Sequence, residues 1–528
     1  MMTGPNGRDT EGGCGGGSPD SPDRHNHQHN TVDEHNHEHQ GQHVTGTASH
    51  PHRQQSHSQR RASSRRASVV SPINYNVPDD YANLEASNIS PVQNPDEEPI
   101  TRHQTLEQVG SQDREYLREQ RQHPKPPAEA EPSEDYDREK GAQQPGAVRK
   151  QNVSRLATEL YTISYLIFFS LLGTLARLGL QALTSNYPQS LVIFPSIWPN
   201  FAGCVVMGFL AEDRMLFRSD WGQEPALKKD DDVENSSGTG SVKPETVDTA
   251  AAKKAHLALK KSIPLYIGLA TGFCGSFTSF SSFVRDIFLA LSNDLSPFSS
   301  ASIESRNGGY SFMALLSVMI TTISLSLSGL FLGAHLAIAL APLFVKTGLT
   351  LPYTFVSRFL DRLVVLLGFG CWLGAVFLSI WPPDRHSTSA EKERWRGTAT
   401  FALVFAPLGC LLRFYASAHL NGRLPSFPLG TFVVNMFGTA VLGMAWDLEH
   451  VPSGLGGVVG CQVLQGVADG FCGCLTTVST WAAELAALRR RNAYVYGGAS
   501  VGGGLALLVV IMGGLRWTEG FEGVKCVH

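Results

Sequence analysis

Several signals of secreted or catalytic proteins are missing from this sequence. The chain of 528 residues has nine cysteines, but most lie inside apolar segments and do not form the spaced framework of an extracellular disulfide protein. The apolar segments hold no recurring pair of carboxylates, no histidine cluster and no Ser-His-Asp set, so hydrolytic or redox catalysis has no apparatus there. No Walker-type phosphate-binding string is present, and we therefore expect neither an enzyme nor an ATP-driven pump.

Charge is also scarce, at 17% of the residues, and it is unevenly spread along the chain. Residues up to about Lys150 are polar, whereas most of the remaining chain consists of apolar blocks of about 20 residues, a length that spans a bilayer as a helix. No cleavable secretory signal is visible, and we expect the first apolar block to act as the insertion signal.

We predict that residues 1–154 form a disordered, histidine-rich cytosolic tail, because they lack apolar periodicity. The clusters His25–His29 and His35–His39 offer ligands for a transition metal, although weak binding by a disordered tract explains the same pattern. Ser63 and Ser68 each follow a pair of arginines, which is consistent either with phosphorylation by a basophilic kinase or with a solvated basic patch.

Nine apolar segments follow the tail in an arrangement of four, one and four. The predicted spans are Leu156–Leu180, Leu191–Ala211, Ile263–Leu291, Phe312–Leu340, Phe355–Trp381, Phe401–Ala418, Leu429–Ala445, Leu455–Leu488 and Tyr494–Leu515. We assign residues 155–341 to a first four-helix repeat, 342–397 to a linker with an extra helix at about 355–381, and 398–528 to a second repeat. One added crossing turns the second repeat over, which predicts an all-α membrane protein built as an inverted repeat.

One twelve-residue string occurs twice and marks an internal duplication. Gly272–Phe283 and Gly470–Trp481 both begin GFCG and then place Ser and Thr inside a long apolar segment, where a continuous helix has little need of them. We interpret each copy as a broken third helix whose free backbone groups line a cavity or bind an ion. Opposed breaks would direct four carbonyls towards the two-fold axis, which suits a small hard cation such as Na⁺. The four residues are Gly275, Thr278, Gly473 and Thr476.

Hydrogen-bond donors and aromatic ring edges in the spans favour an anion. The candidates for an anion pathway are Asn200, Asn435, Phe280, Phe283, Ser281, Ser324, Ser328, Thr477, Ser479, Tyr496 and Ser500. Each feature has a structural alternative: packed or lipid-facing rings, asparagines that join helices, and hydroxyls bonded to their own helix. Arg177 and Arg413 have either a structural and electrostatic role or snorkel towards lipid headgroups.

These residues resemble the CrcB/Fluc fluoride channel family, and in particular its fused two-domain eukaryotic exporters. The repeated string carries the resemblance, together with Gly173-Thr-Leu-Ala-Arg177, Asn200-x-x-Gly203, Gly409-Cys-Leu-Leu-Arg413 and Asn435-x-x-Gly438. The resemblance implies an antiparallel dual-topology assembly within one chain and a central structural Na⁺. It also implies anion pathways lined by the asparagines, the phenylalanine pair and hydroxyls of the last helix of each repeat.

The second half of the chain departs from the family pattern. Val478 and Trp481 stand where the family has its two phenylalanines, and Gly504 stands where it has a pore serine. In the first half, Ile320 replaces a tyrosine that the second half keeps as Tyr496. These asymmetric losses predict one working pore and one degenerate pore.

The resemblance thus implies a passive, fluoride-selective export channel of the plasma membrane, which works as a single chain in the lipid bilayer and has no nucleic-acid partner. The membrane potential would drive the anion outward with about 2.3 kcal/mol per charge for each 100 mV. The distribution of Lys and Arg among the loops predicts a cytosolic N-terminus and an extracellular C-terminus.

Two alternatives stay open. A dual-topology, proton-coupled exporter of small cations would use Asp286 and Glu484, which occupy matching positions after the two strings. We interpret these carboxylates instead as helix ends near water. A non-transporting scaffold or receptor would depend on the tail, so that deletion of residues 1–150 would abolish its function but would spare that of a channel.

Overall fold

The apolar segments fold as helices throughout the part of the chain that the structure describes, because a helix pairs its own backbone polar groups. The structure is a computed structural model, and it describes residues 75–84, 153–185, 194–213, 215–217, 259–295, 306–348, 351–352, 355–382, 399–424, 426–451 and 457–521. The predicted histidine clusters and the predicted phosphorylation sites Ser63 and Ser68 lie outside the described residues.

Eleven helical elements are numbered in chain order among these residues. They are α1 Arg155–Ser185, α2 Ile197–Glu212, α3 264–277, α4 Phe280–Ser292, α5 Gly308–Thr347, α6 Val356–Ile380, α7 Phe401–Leu420, α8 Leu429–His450, α9 457–475, α10 Ser479–Ala487 and α11 Arg490–Thr518. Just before each break, α3 and α9 widen into π-helical turns at Gly268–Cys274 and Val467–Cys472. Such turns are rare and occur often at functional sites.

The described residues contain eight helices that are long and apolar enough to cross a membrane, when α3 with α4 and α9 with α10 are each taken as one broken helix. This confirms the prediction of an all-α membrane protein. The helix α2 has 16 residues and extends for about 24 Å, less than the roughly 30 Å of a bilayer core. The ninth crossing therefore stays a prediction.

In each repeat, the half-helix that follows the break packs against helices of the other repeat. The helix α4 of the first repeat packs against α8 and α11, and α10 of the second repeat packs against α2 and α5. The two breaks meet between them, because α9 also contacts α3 near its end. The extra helix α6 contributes less to the core than the other spans do, since only 22% of its most apolar stretch is buried inside the protein.

Glycines allow α2 and α5 to approach closely. A methyl group at Gly208 would clash with the backbone of Leu330, and one at Gly333 would clash with the backbone carbonyl of Val205. Small residues at such crossings are the usual means of close helix packing in membranes. This close contact holds α2 in place, and α2 carries one of the two intramembrane asparagines.

Residues 75–84 differ from the prediction of a disordered tail over 1–154. Tyr75, Val77, Tyr81 and Leu84 are buried, and Asp79–Asn83 forms a 3₁₀ turn. The stretch is too short to show an apolar period in a polar tail, but its two tyrosines and three aliphatic side chains supply surface to bury. The tail therefore includes a segment that packs onto the membrane helices.

Candidate ion pathway

The two breaks have the same backbone geometry. Thr278 ends α3 with φ −94° and ψ 152°, and Thr476 ends α9 with φ −92° and ψ 150°. Both residues are fully buried, so contact with solvent is not the cause of either helix break. The interpretation of the repeated string as a broken helix in each half is confirmed.

An asparagine from the second helix of each repeat holds each break open. Asn200 Oδ1 accepts the amide N–H of Ser279 at 2.9 Å, and Asn435 Oδ1 accepts that of Thr477 at 2.9 Å. In a continuous helix these amides would donate to the carbonyls four residues earlier. The carbonyls of Gly275 and Gly473 therefore lose their helical partners, and both asparagines have a structural role that accompanies any role towards an anion.

The two half-helices α4 and α10 are capped by threonines from the opposite repeat. Thr278 Oγ1 accepts the amide N–H of Ser479 at 3.1 Å, and Thr476 Oγ1 accepts that of Ser281 at 3.0 Å. Each hydroxyl also donates to the carbonyl four residues earlier in its own chain segment. Exchange of equivalent contacts is the pattern that a two-fold axis between the breaks produces.

These contacts bear on the predicted Na⁺ site. The hydroxyls of Thr278 and Thr476 are committed to capping, so a cation between the breaks would meet backbone carbonyls. The carbonyls of Gly275 and Gly473 fit that role, because both residues are buried and their carbonyls are released from helical pairing. Unpaired carbonyls at broken helices are the ligands that Na⁺ uses in membrane proteins.

Two buried arginines cross between the repeats. Arg413 donates to the carbonyl of Thr271 in the first repeat at 2.8 Å, and Arg177 donates to the carbonyl of Asp469 in the second. Their exposed fractions are 2% and 1%, which excludes snorkelling to headgroups.

The crossing arginines explain two glycines of the repeated string. A methyl group at Gly275 would clash with the guanidinium of Arg413, and a methyl group at Gly473 would clash with that of Arg177. Each glycine therefore provides the space through which the arginine of the other repeat reaches backbone carbonyls. Arg177 and Arg413 therefore each connect one repeat to backbone carbonyls of the other.

The phenylalanine pair lies between helices of both repeats. Phe280 and Phe283 are fully buried, with their ring centroids 5.8 Å apart in an edge-to-face arrangement. A methyl group at Gly504 of α11 would lie 3.5 Å from the ring of Phe280. Trp481 of α10 also contacts Phe280, at 5.5 Å between centroids. The first-repeat pair thus faces the last helix of the second repeat, a pairing that the sequence alone does not reveal.

The hydroxyls near the breaks are satisfied within the protein. Ser281 Oγ lies 3.0 Å from Thr476 Oγ1, and Thr477 Oγ1 lies 3.2 Å from Ser479 Oγ. Ser500 Oγ donates back to the carbonyl of Tyr496 at 2.7 Å. These residues form a polar network around the axis and along α11.

A buried carboxylate lies beyond each break, at positions that the sequence interpretation placed near water. Asp286 and Glu484 are both 1% exposed. Ser196 donates to Asp286, and Thr431 donates to Glu484 Oε1 at 2.7 Å. Tyr496 donates to the other oxygen of Glu484, also at 2.7 Å.

Sequence reasoning missed the two hydroxyls that hold these carboxylates. Ser196 and Thr431 each precede an intramembrane asparagine, Asn200 or Asn435, by four residues. That spacing places hydroxyl and amide on one helix face, so the signal was present in the sequence. We name Thr431, Glu484 and Tyr496 the second-repeat triad.

The comparisons with known proteins agree with this architecture. The family model described as CrcB-like protein, Camphor Resistance (CrcB), matches residues 164–334 and 400–514. The chain belongs to the CrcB-like family. No solved structure matches the chain.

Named relatives include both fused and short members. Fluoride export protein 1 of Neurospora crassa is 76% identical over 540 residues, which cover 100% of both chains. Fluoride export protein 1 of Candida albicans is 34% identical over 66% of this chain and 78% of its own. The fluoride-specific ion channel FluC of Pseudomonas paraeruginosa is 32% identical over 24% of this chain and 98% of its own.

The register of α5 corrects one expectation drawn from the family resemblance. Ser324 and Ser328 lie on the exposed face of α5, as does Ile320. Thr322 and Ser326 are buried instead, and the hydroxyl of Thr322 has no hydrogen-bond partner among the described residues.

The correct correspondence between α5 and α11 is therefore shifted by two residues. The buried positions of α11 are Tyr496, Ser500 and Gly504, four residues apart, and those of α5 are Val318, Thr322 and Ser326. A shift of two residues turns a side chain about 200° around a helix, to the opposite face. Val318, not Ile320, stands where the second repeat has Tyr496.

Proposed function

We propose that this chain is a passive, fluoride-selective export channel that lowers cytosolic fluoride and is driven by the membrane potential. The observation that carries the proposal is the mutual capping of two broken helices, in a chain that is 76% identical over its full length to a protein named Fluoride export protein 1. Polar backbone at membrane depth is tolerated where it lines a path or binds an ion.

The working path runs along α4, between it and the helices α8 and α11. The amino-terminal end of α4 carries a partial positive charge, and the ring edges of Phe280 and Phe283 add to it without binding the anion tightly. The second-repeat triad supplies polar groups near the start of α11. Asn435, in the second turn of α8, belongs to the same side.

The other path, along α10, is degenerate. Val478 just before this half-helix and Trp481 within it offer no pair of phenylalanine edges. The half-helix packs against α2 and α5. Trp481 fills space beside Phe280 and is 1% exposed. Thr322 and Ser326, which replace Ser324 and Ser328 as candidates, are buried positions of α5, a helix that packs against α10.

A structural Na⁺ between the breaks completes the proposal. Four backbone carbonyls would hold the ion, and its charge would attract both repeats to the axis. These carbonyls belong to Gly275, Thr278, Gly473 and Thr476. The protein functions as a single chain, because α4 and α10 each need helices of both repeats. Its place is the plasma membrane, with the N-terminus in the cytosol and the C-terminus outside.

The test is fluoride efflux from liposomes that contain the purified protein, with chloride as the control anion. We expect selective fluoride release, which Phe280→Ile abolishes. Phe288→Ile is the matched control, because Phe288 is an equally buried ring two turns further along α4 that packs on Trp517. Absence of fluoride release from folded wild-type protein would exclude the channel, and release that survives Phe280→Ile would move the working path to α10.

The cation-exporter alternative has one observation in its favour. Asp286 and Glu484 are buried at matching positions, as a pair of proton-carrying carboxylates would be. Each is held by a hydroxyl of its own repeat, which suits a fixed position better than repeated loading of a cation. The same liposomes distinguish the two functions, because an exporter would move a small cation when a pH gradient is imposed.

A further inference from the structure

Residues 75–84 join parts of the membrane body that belong to different repeats. Tyr75 donates to Asp361 Oδ2 of α6 at 2.8 Å, and Tyr165 of α1 donates to the other oxygen at 2.9 Å. Lys261, just before α3, donates to the carbonyl of Ala82 at 3.2 Å. The segment is thus bonded to the linker helix and to the first repeat.

The same segment holds the end of α7 in the second repeat. The ring of Tyr81 meets Phe414 edge to face at 5.2 Å, and burial raises the pKa of the Tyr81 hydroxyl, so this side chain stays neutral. Asn83 Nδ2 donates to the carbonyl of Ala418 at 2.9 Å. A methyl group at Gly422 would lie 2.6 Å from Asn83 Oδ1, so the asparagine packs directly on the turn that follows α7.

That turn leads to the second-repeat triad. Asn421, next to Gly422, accepts the amide N–H of Thr431 through Oδ1 at 3.1 Å, and its Nδ2 lies 3.4 Å from Thr431 Oγ1. Thr431 and Tyr496 both donate to Glu484 at 2.7 Å. A continuous set of contacts therefore runs from Asn83 to a tyrosine on the proposed working path.

We propose that residues 75–84 are a positioning segment of the transport body, which holds the α7–α8 turn and, through it, the second-repeat triad. A contiguous network of packed and hydrogen-bonded groups is the physical route by which one site biases another. Only the transport part of the test rests on the proposed function. Deletion of residues 1–150 would therefore remove residues 75–84 as well. Loss of function after that deletion would then no longer distinguish a scaffold from a channel.

Double-mutant cycles in the full-length protein test docking and positioning without any transport assay. The first cycle combines Asn83→Ala with Gly422→Ala, since the smaller side chain leaves room for the added methyl group. The second combines Asn83→Ala with Tyr496→Phe. Contacting or networked residues give non-additive effects, whereas independent sites add. We expect non-additive thermal unfolding midpoints in both cycles, and additivity in either would overturn the proposal.

Fluoride efflux provides the third measurement. We expect Asn83→Ala to slow efflux about tenfold, in line with the loss of one buried amide hydrogen bond. Asp80→Ala is the control on the same segment, because Asp80 forms only a half-exposed pair with His419, and it should leave efflux unchanged. Unchanged efflux in Asn83→Ala would also overturn the proposal. If the wild-type protein showed no efflux, only the proposed channel function would be excluded. The two double-mutant cycles would still test whether residues 75–84 position the triad.

Discussion

The two broken helices share their centre but differ in the half-helices that follow it. At the centre, both have an asparagine on the backbone amide, a threonine that caps the opposite half-helix, and a crossing arginine. Beyond the centre, α4 carries Phe280 and Phe283, whereas the matching residues of the second repeat are Val478, just before α10, and Trp481 within it. The threonines and the arginines act on the other repeat, so a change in one of them damages both halves, while a change in one lining damages one path.

The largest effect should come from the central glycines, and it should be equal in the two repeats. Gly275→Ala and Gly473→Ala each force a methyl group into a buried guanidinium, and we expect each to lower the free energy of unfolding by about 3 kcal/mol. The measurement is the thermal unfolding midpoint of the purified protein. Gly498→Ala is the control, because nothing among the described residues lies within 4 Å of the added methyl group. Unequal losses would contradict a shared centre.

Substitution of the two capping threonines should have equal effects on stability and unequal effects on fluoride efflux. Thr278→Val and Thr476→Val each remove one trans cap, and we expect each to cost about 1 kcal/mol of unfolding free energy. Of the two threonines, Thr476 is the one that caps α4, which bears the phenylalanine pair, so Thr476→Val should slow fluoride efflux far more than Thr278→Val does. Efflux rates and unfolding midpoints are measured on the same preparations. Equal efflux in the two variants would remove the distinction between a working and a degenerate path.

Much of the centre was predictable because it occurs twice in the sequence. The breaks, the asparagines and the arginines stand at matched positions in two copies of one pattern. Their bonding was less accessible, because Arg413 and Thr476 act on the other repeat. Contacts between residues far apart in sequence depend on how the repeats dock, and a pattern within one repeat holds no information about that.

Two other features escaped prediction for local reasons. The stretch from Thr321 to Ser328 has hydroxyls on both faces of α5, so spacing alone does not say which face is buried, and Ser324 and Ser328 were chosen wrongly. Residues 75–84 are too few to raise an apolar signal above a long polar tail. In both cases the deciding factor is the shape of the neighbouring helices, such as the glycine-lined contact of α2 with α5.

A substitution that should stabilise the protein tests whether the α10 path is closed. The hydroxyl of Thr322 is buried without a partner among the described residues, so Thr322→Val should raise the free energy of unfolding by about 1 kcal/mol. Thr321→Val is the matched control, since its hydroxyl donates to the carbonyl of Ser317 at 2.6 Å and no gain is expected. The unfolding midpoints of both variants are compared with that of the wild type. A Thr322 hydroxyl that instead lines a hydrated path would give no stabilisation and a slower efflux, and the two paths would then both conduct.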